Sequence, residues 1–311
     1  MKAIAIERYG GPEVLRLMEL PKPAVMEKDV LIEIHAASVN PVDWKVREGY
    51  LQDMLHHRFP LILGWDAAGV VEDTGPGVTR FNRGDKVFSR TDIARNGTYA
   101  EYVAVDEKYV AGKPTNISFE GAAAMPLVGL TAWQALVDYA GMKKGDKVLI
   151  HAGSGGVGSF AIQLAKSRGC FVATTCSTAH VDFVKALGAD QVVDYTKGDF
   201  SLQLHDYDIV FDTIGGDTYR NSFKVLRQQR GVIVSILEQP DHELAEKNGV
   251  RAGYLFMHPD GNQLAKIAEL LESGEIKPVV GKILPLEEAR NAQMMSQSHH
   301  ARGKIVLQVK G

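Results

Sequence analysis

The distribution of hydrophobic and polar positions changes near residue 118 and divides the chain into two regions. Before that point, short apolar or alternating runs are separated by glycine and proline, among them residues 30–34, 67–71 and 86–88. Short runs with such breaks are typical of strands in a barrel-like or sandwich-like unit. The first region is therefore predicted to be mostly β.

The second region alternates helical stretches with short β-branched runs at 148–150, 171–173, 191–193, 209–211 and 232–234. Residues 157–167, between the first two runs, place Ala161, Leu164 and Ala165 on one helical face. This alternation predicts a parallel sheet covered by helices. A last helix is predicted at about 261–272, and the run 304–309 is predicted as a strand that returns to the first region.

Length and charge narrow the classes of function. A chain of 311 residues with 45% hydrophobic content can bury a large core, and two domains are expected. Lysine and arginine total 35 against 38 acidic residues, so neither nucleic acid nor a membrane surface is an expected partner. The opening residues do not have the pattern of a signal peptide, and the apolar runs are too short to cross a bilayer, so a cytoplasmic location is expected. The two cysteines, Cys170 and Cys176, are expected to be reduced core thiols.

A glycine-rich loop carries the strongest local signal. Gly153, Gly155 and Gly158 occupy the positions of a G-x-G-x-x-G motif, after a predicted strand and before a predicted helix. Glycine at these positions allows a tight turn, close approach of the backbone to a pyrophosphate, and packing of the helix on the strand. Alone the motif is weak, but its place at the start of the strand–helix alternation indicates a dinucleotide site. His151, just before it on a buried strand, is interpreted as a hydrogen-bonded core histidine.

The end of the next strand bears on the choice between NADH and NADPH. An acidic residue about 20 positions beyond the loop would bind the adenosine ribose of NADH and repel a 2′-phosphate. Residues 174–180 contain no carboxylate, and the hydroxyl of Ser177 could donate to a phosphate oxygen. NADPH is therefore favoured, although Ser177 could equally be a cap of the following helix.

Several further stretches resemble a known family. Gly145-Asp146, Leu149, Gly158, Gln163 and Lys166 surround the loop at the spacing of a family signature, and residues 38–43, 128–133 and 303–307 match as well. In these motifs the chain resembles the zinc-free quinone oxidoreductase branch of the medium-chain dehydrogenase/reductase superfamily, over essentially its whole length. The resemblance implies an α/β fold class: a GroES-like, mostly-β catalytic domain at 1–117, completed by 275–311, and a doubly wound parallel-sheet (Rossmann) domain at 118–274.

The resemblance also bears on metal binding. Zinc-dependent members carry a cysteine ligand where this chain has Asn40, and a histidine within the run that reads Gly64-Trp65-Asp66 here. Cysteines for a structural zinc are missing too, because neither cysteine lies before residue 170. No metal is therefore expected. Without a Lewis acid, alcohol oxidation is difficult, whereas an electron-poor quinone or α,β-unsaturated carbonyl can still accept a hydride.

By resemblance, the expected cofactor is NADPH, and the expected enzyme class is EC 1.6.5 or 1.3.1. The cofactor contacts that the resemblance implies are Asn40, Thr131, Ser154, Gly155, Gly156, Val157, Ser177, Tyr195, Ile214, Ser235, Leu255, Phe256 and Lys304. The family often has a lysine in the helix after Ser177, but this chain has His180 and Val181 there.

Three residues are candidates for catalysis. Asn40 is expected beside the nicotinamide, Asp43 could orient substrate or simply cap a helix, and Tyr50 could donate a proton or be a surface tyrosine. The expected reaction is NADPH-dependent quinone reduction. The alternatives are reduction of an enone or enal double bond, and a nonenzymatic NADPH-binding role in redox sensing or protein interaction. A homodimer is expected, with residues 254–257 as a candidate edge strand.

Overall fold

The computed structural model describes residues 1–299 and 301–310. Over these residues the strands, in chain order, are β1 (Lys2–Ile6), β2 (Arg16–Glu19), β3 (Asp29–Val39), β4 (Leu61–Ile62), β5 (Asp66–Thr74), β6 (Lys86–Arg90), β7 (Tyr102–Asp106), β8 (Val110–Gly112), β9 (Lys147–Ile150), β10 (Phe171–Cys176), β11 (Gln191–Asp194), β12 (Ile209–Asp212), β13 (Val232–Ser235), β14 (Arg251–Tyr254), β15 (Val280–Pro285) and β16 (Lys304–Gln308).

The α-helices are α1 (Pro41–Arg47), α2 (Phe119–Ala123), α3 (Pro126–Ala132), α4 (Gly156–Ser167), α5 (Val181–Ala186), α6 (Gly216–Ser222), α7 (His242–Asn248), α8 (Gly261–Glu272) and α9 (Ala289–Gln297). A π-helical turn follows α3 at Trp133–Tyr139. Short 3₁₀ turns lie at Pro12–Val14, Glu107–Tyr109, Thr178–His180, Phe200–Leu202 and Leu286–Glu288.

The chain forms two compact units. Unit 1 consists of Met1–Leu127, Pro259–Gly274 and the chain from Pro278 onward, and unit 2 consists of Val128–His258 and Glu275–Lys277. The sequence-based boundaries at 117 and 274 assign α8 to the nucleotide-binding domain, whereas the structure groups it with unit 1. The cause is local packing: Asn116 Nδ2 donates to the carbonyl of Leu271 at 3.0 Å, and a Cβ on Gly261 would lie 2.6 Å from the carbonyl oxygen of Lys108.

Unit 1 is the mostly β, GroES-like domain. Its main sheet has the order β15-β16-β3-β5-β6-β8, with β7 also paired to β3, and a smaller sheet has the order β2-β1-β4. Strand β3 is the centre of this unit because its eleven residues pair with β5, β7 and β16. The predicted return of the run 304–309 is confirmed: β16 lies antiparallel to β3, with Ile305 opposite Val39.

Unit 2 is a doubly wound Rossmann domain, as predicted. Its sheet has the order β11-β10-β9-β12-β13-β14 and is parallel throughout. The chain starts in the middle at β9, builds outward to β11, and then reverses through β12, which is the order of dinucleotide-binding folds. Each of the five predicted β-branched runs lies inside one of the observed strands. Ligands of such sheets bind beyond the carboxyl ends of the strands, next to the reversal point.

The edge of this sheet differs from the prediction for residues 254–257. Strand β14 covers Arg251–Tyr254 instead, so the apolar run mostly follows the strand. An edge strand needs few buried positions, and here only Gly253 is buried. A Cβ at Gly253 would lie 2.1 Å from the ring of Tyr139. The position of this edge strand therefore depends on close packing against Tyr139 and not on a run of apolar side chains. Across the described part of the chain, no helix is both long and apolar enough to span a membrane.

Candidate active site

In unit 1, the side chain of Asn40 is held from two sides. Asn40 follows β3 directly and is the N-cap residue of α1, and it is 2% exposed. Its Nδ2 donates to Oδ2 of Asp66 at 2.8 Å, and its Oδ1 accepts a hydrogen bond from Nζ of Lys304. The amide is therefore clamped between a carboxylate and an ammonium.

Asp66, the first residue of β5, is fully buried and has contacts of its own. Its Oδ2 also accepts from Ser38 Oγ at 3.0 Å, and its Oδ1 accepts from the main-chain N–H of Leu127 at 3.0 Å. Ser38 and Asp66 are directly opposite each other on the antiparallel strands β3 and β5. In the sequence, Asp66 stands out only as part of a run without a zinc ligand, and its contact with Asn40 was not predicted.

Lys304 begins β16 and is 4% exposed. Besides Asn40, its Nζ donates to the carbonyl oxygen of Val39 at 2.7 Å. Burial lowers the pKa of Lys304 to about 8, although Asp66 and Asp43 oppose the shift. The resemblance implies that Lys304 contacts the cofactor. In the structure its ammonium donates to the side-chain oxygen of Asn40, so Lys304 can affect a ligand by holding the Asn40 amide in place.

Asp43 is also fully buried. Its Oδ2 accepts from the main-chain N–H of Asn40 at 2.8 Å and from the hydroxyl of Tyr99 at 2.7 Å. Burial raises the pKa of Asp43 to about 6, although these hydrogen bonds oppose the shift. Of the two interpretations of Asp43, the observed contacts are those of a helix cap: its carboxylate accepts from the main-chain N–H of Asn40 at the start of α1.

A second buried cation accompanies this cluster. Arg90, at the end of β6, is buried and donates from Nη1 to the carbonyl of Thr91 at 3.1 Å. Burial lowers its pKa, whereas the charges of Asp66 and Asp43 raise it. Two carboxylates are thus accompanied by two cations inside unit 1, which keeps the desolvated charges balanced.

Tyr50 lies outside this cluster, in the turns that follow α1, and is 68% exposed. Its ring contacts that of Trp44 edge-on, with centroids 6.2 Å apart. A hydrogen bond to Glu48 raises the pKa of Tyr50. The phenol therefore keeps its proton at neutral pH and is accessible to solvent.

In unit 2, the glycine loop joins β9 to α4. A Cβ at Gly153 would lie 2.1 Å from Oγ1 of Thr174, and one at Gly158 would lie 2.3 Å from the carbonyl oxygen of Ala152. These two glycines are required by packing within the protein. A Cβ at Gly155 would meet only the carbonyl of Ala152, at 3.4 Å, so its missing side chain leaves open space in front of the loop. The first amides of α4 lack helical acceptors, and this open cradle fits a pyrophosphate.

The remaining predicted cofactor contacts of unit 2 follow the carboxyl ends of its strands, with the exception of Thr131, which lies in α3. These are Ser154, Gly156 and Val157 after β9, Ser177 after β10, Tyr195 after β11, Ile214 after β12, Ser235 at the end of β13, and Leu255 and Phe256 after β14. Because the strands are parallel, the structure brings these strand-end positions to the same side of the sheet, at the carboxyl ends of the strands.

Ser235 and the loop of Ile214 are organised by a residue that the sequence analysis missed. Asp212, the buried last residue of β12, accepts from the hydroxyl of Ser235 at 2.6 Å and from the main-chain N–H of Ile214 at 3.1 Å. The Ser235 oxygen accepts in turn from the main-chain N–H groups of Leu237 and Glu238. Ser235 is fully buried, and its hydrogen bonds hold the loop that follows β13.

At the predicted adenosine end, Ser177 is the N-cap residue of the turn Thr178–His180, and within the described chain its side chain makes no capping hydrogen bond. Tyr195, after β11, is 62% exposed. The structure adds a carboxylate here, because Asp194 pairs with Cys176 on the adjacent strand. Hydrogen bonds from the hydroxyls of Thr178 and Thr196 lower the pKa of Asp194 to about 2, and Lys197 lies 3.4 Å away.

His151, just before the glycine loop, is fully buried in unit 2. Its Nδ1 is 3.1 Å from Oγ1 of Thr175, and its Nε2 is 2.9 Å from Oγ of Ser222. Burial lowers the pKa of His151 to about 3. It is a neutral core histidine bound to two hydroxyls.

Two family models match the chain. Residues 26–115 match the family described as alcohol dehydrogenase GroES-like domain, and residues 187–307 match the family described as zinc-binding dehydrogenase. The chain is 35% identical to "NAD(P)H oxidoreductase RTN4IP1, mitochondrial" of Mus musculus, over 99% of this chain and 89% of that protein. It is 36% identical to "2-methylene-furan-3-one reductase" of Solanum lycopersicum, over 99% and 79%.

Solved structures agree with this placement. The quinone oxidoreductase from Coxiella burnetii is 38% identical and superimposes with a TM-score of 0.92, covering 100% of this chain and 99% of that one. The chain is a medium-chain dehydrogenase/reductase. It belongs to the quinone oxidoreductase branch of that superfamily, and it is an NAD(P)H oxidoreductase. A further medium-chain member, the Escherichia coli quinone oxidoreductase complexed with NADPH, is 28% identical with a TM-score of 0.89, covering 99% and 100%.

Proposed function

We propose that this oxidoreductase uses NADPH to reduce a quinone and that it does so without zinc. The observation that carries the proposal is the clamped amide of Asn40. Zinc-dependent relatives have a cysteine ligand at this position, whereas here an amide is engaged by Asp66 and Lys304. Within residues 1–299 and 301–310, no group of three His, Cys, Asp or Glu side chains is arranged to hold a metal ion. A catalytic zinc needs about three such ligands.

The proposed cofactor site lies beyond the carboxyl ends of the parallel strands of unit 2. The amides at the start of α4 and the open space at Gly155 would bind the pyrophosphate, and Ser177 and Tyr195 would bind the adenosine end. The hydroxyls of Thr178 and Thr196 keep Asp194 ionised, and its charge disfavours a 2′-phosphate, but the ammonium of Lys197 offsets part of that charge. The NADPH complex of the Escherichia coli relative supports this choice of cofactor.

When bound, the cofactor supplies a hydride to the acceptor. A quinone that takes up one hydride and one proton becomes a hydroquinone, and the anion formed after the hydride transfer is delocalised enough to need no Lewis acid. Asn40 would hold the nicotinamide end through its amide, and Asp43 would act through the backbone of Asn40. Tyr50 would be a proton source, because it keeps its phenolic proton at neutral pH.

Reduction of an enone double bond is the second candidate. The relative from Solanum lycopersicum is named as a reductase of a 2-methylene-furan-3-one, which is an α,β-unsaturated carbonyl compound. A hydride added to its alkene carbon leaves an enolate that one proton converts to the saturated ketone. The same residues would serve both reactions.

The test is the oxidation of NADPH and of NADH, followed by absorbance, against an ortho-quinone, a para-quinone, an enone and, with oxidised cofactor, a primary alcohol. We expect turnover of a quinone with NADPH. Faster turnover of the enone would select the second candidate. Tight NADPH binding without turnover on any acceptor would refute both and favour a nonenzymatic, redox-sensing role.

Two additions to this assay test the roles of zinc and of Tyr50. Incubation with EDTA is expected to leave the rate unchanged, and a large loss would refute zinc independence. The variant Tyr50→Phe keeps the ring against Trp44 and removes the proton. If Tyr50 is the proton donor, kcat falls at least about 10-fold with little change in NADPH affinity. An unchanged kcat would show that Tyr50 is not the proton donor.

A further inference from the structure

The orientation of the Asn40 amide follows from the chemistry of its two partners. An ammonium can only donate hydrogen bonds and a carboxylate can only accept them. Lys304 therefore selects the oxygen of the amide, and Asp66 selects its nitrogen. The flipped amide would place NH₂ against NH₃⁺ and an oxygen against a carboxylate, and both contacts would be buried repulsions.

Three adjacent strands supply this arrangement. Strand β3, which ends next to Asn40, lies between β16 and β5 in the sheet. Lys304, the first residue of β16, approaches from one neighbouring strand, and Asp66, the first residue of β5, approaches from the other. The register is fixed on each side, by Ile305 opposite Val39 and by Ser38 opposite Asp66. The clamp is thus built into the sheet.

The carboxylate of Asp66 is itself immobilised by groups other than Asn40. Ser38 Oγ and the main-chain N–H of Leu127 donate to it, and Thr98 Oγ1 donates to its main-chain oxygen at 2.9 Å. A buried carboxylate with this many donors keeps one position. It can therefore impose an orientation on Asn40.

We propose that Asp66 and Lys304 are positioning residues that hold the amide of Asn40 in a single orientation. One hydrogen of Nδ2 bonds to Asp66, which leaves the second hydrogen as the donor of this amide to a ligand. The clamp thereby gives a neutral side chain the fixed geometry that a metal ion gives its ligands. This inference rests on the proposed function, in which Asn40 contacts the nicotinamide end of NADPH.

A double-mutant cycle tests the proposal, because residues that act through one another are not additive. Asp66→Asn keeps the shape of the side chain but makes it both donor and acceptor, so the selection of the amide nitrogen is lost. We expect Asp66→Asn and Asn40→Ala each to lower kcat/KM for the acceptor by about 10- to 100-fold, the range for misplacing a group in an active site. The double variant should lose no more than the worse single one. A loss equal to the product of the two would overturn the proposal.

Asp66→Asn also leaves a buried cation unbalanced and could prevent folding. The combined variant Asp66→Asn/Lys304→Met removes one negative and one positive charge and releases the amide at both ends, so it tests the same proposal at constant net charge.

A matched control is Thr98→Val, which removes a buried hydrogen bond to the main chain of Asp66 and leaves its carboxylate contacts. We expect the control to lower Tm and to keep kcat/KM within about twofold. An equal loss of kcat/KM in the control would assign the effect to general destabilisation.

The cycle can be separated from the proposed function. If the wild-type protein binds NADPH but turns over no acceptor, the proposed function fails, and the same variants are compared through the Kd for NADPH, measured by its fluorescence. A loss of affinity in Asn40→Ala that Asp66→Asn does not deepen would support the clamp. Additive losses, or an unchanged Kd in Asn40→Ala, would overturn it.

Discussion

The neutral imidazole of His151 should make unit 2 sensitive to acid. Replacement by glutamine keeps polar atoms near Thr175 and Ser222 and removes the group that can take up a proton. In the folded protein burial lowers the pKa of His151 to about 3, whereas the unfolded imidazole titrates near pH 6.5, about its reference value. Between these two values only the unfolded state binds the proton. The stability that His151 contributes is therefore complete above about pH 6.5 and is lost as the pH falls towards 3.

The size of the effect follows from the width of that window. Each pH unit within it changes the free energy of unfolding by about 1.4 kcal/mol. Between pH 6.5 and 4.5, the wild-type protein should lose about 2 kcal/mol more than His151→Gln does, because the unfolded imidazole is already half protonated at pH 6.5. Asp43 acts in the opposite direction, because burial raises its pKa to about 6 and acid stabilises its buried form. Asp43 lies in unit 1, so the measurement must report on unit 2 alone.

The two cysteines of the chain provide such a probe. Cys170 and Cys176 are both free, buried and part of unit 2, so they react with a thiol reagent only when that unit opens. Labelling with 4,4′-dithiodipyridine across a urea titration at pH 7.0 and pH 4.5 gives the free energy of opening for each protein. If the wild type and His151→Gln lose the same stability between the two pH values, the assignment of a buried neutral histidine is refuted.

The other predictions concern the cofactor and the oligomeric state. Gly155→Val should weaken NADPH binding at least about 10-fold, because the new side chain enters the open space in front of the loop, with only a small loss of Tm from the poorer N-cap of α4. Gly158→Ala should instead lower Tm, since its Cβ would lie 2.3 Å from a carbonyl oxygen; the reverse pattern in calorimetry and fluorescence titration would contradict the cradle. Ser177→Asp should raise the ratio of NADH to NADPH turnover about 10-fold or more by repelling the 2′-phosphate, and an unchanged ratio would show that the phosphate is bound elsewhere. We expect a homodimer by light scattering at micromolar concentration, and a monomer there would refute it.

The sheet of unit 2 could be predicted because its signals are local. Each buried strand is a short β-branched run, and the glycine motif lies between such a run and a helix, so neighbouring residues carry the information. Helix α8 was located correctly for the same reason. Its membership in unit 1 depends on contacts with Lys108 and Asn116, which no local pattern reveals.

The site residues that escaped prediction depend on distant partners. Asn40 and Asp66 are separated by 26 positions, and Asn40 and Lys304 by 264. Only the strand register brings these side chains together, and a single chain without its fold does not disclose register. Asp212 and Asp194 were missed although each ends a strand, because their acceptor roles depend on the loops that turn towards them.

The position of β16 has a consequence for biosynthesis. The sheet of unit 2 is made from one continuous stretch, β9 to β14, and is completely translated before residue 304 emerges. Domains can fold as units during synthesis, so the nucleotide-binding sheet can form on the ribosome. The sheet of unit 1 has a gap between β15 and β3 until β16 is released. A nascent chain can therefore assemble its dinucleotide-binding fold before residue 304 emerges, and it acquires the ammonium beside Asn40 only afterwards.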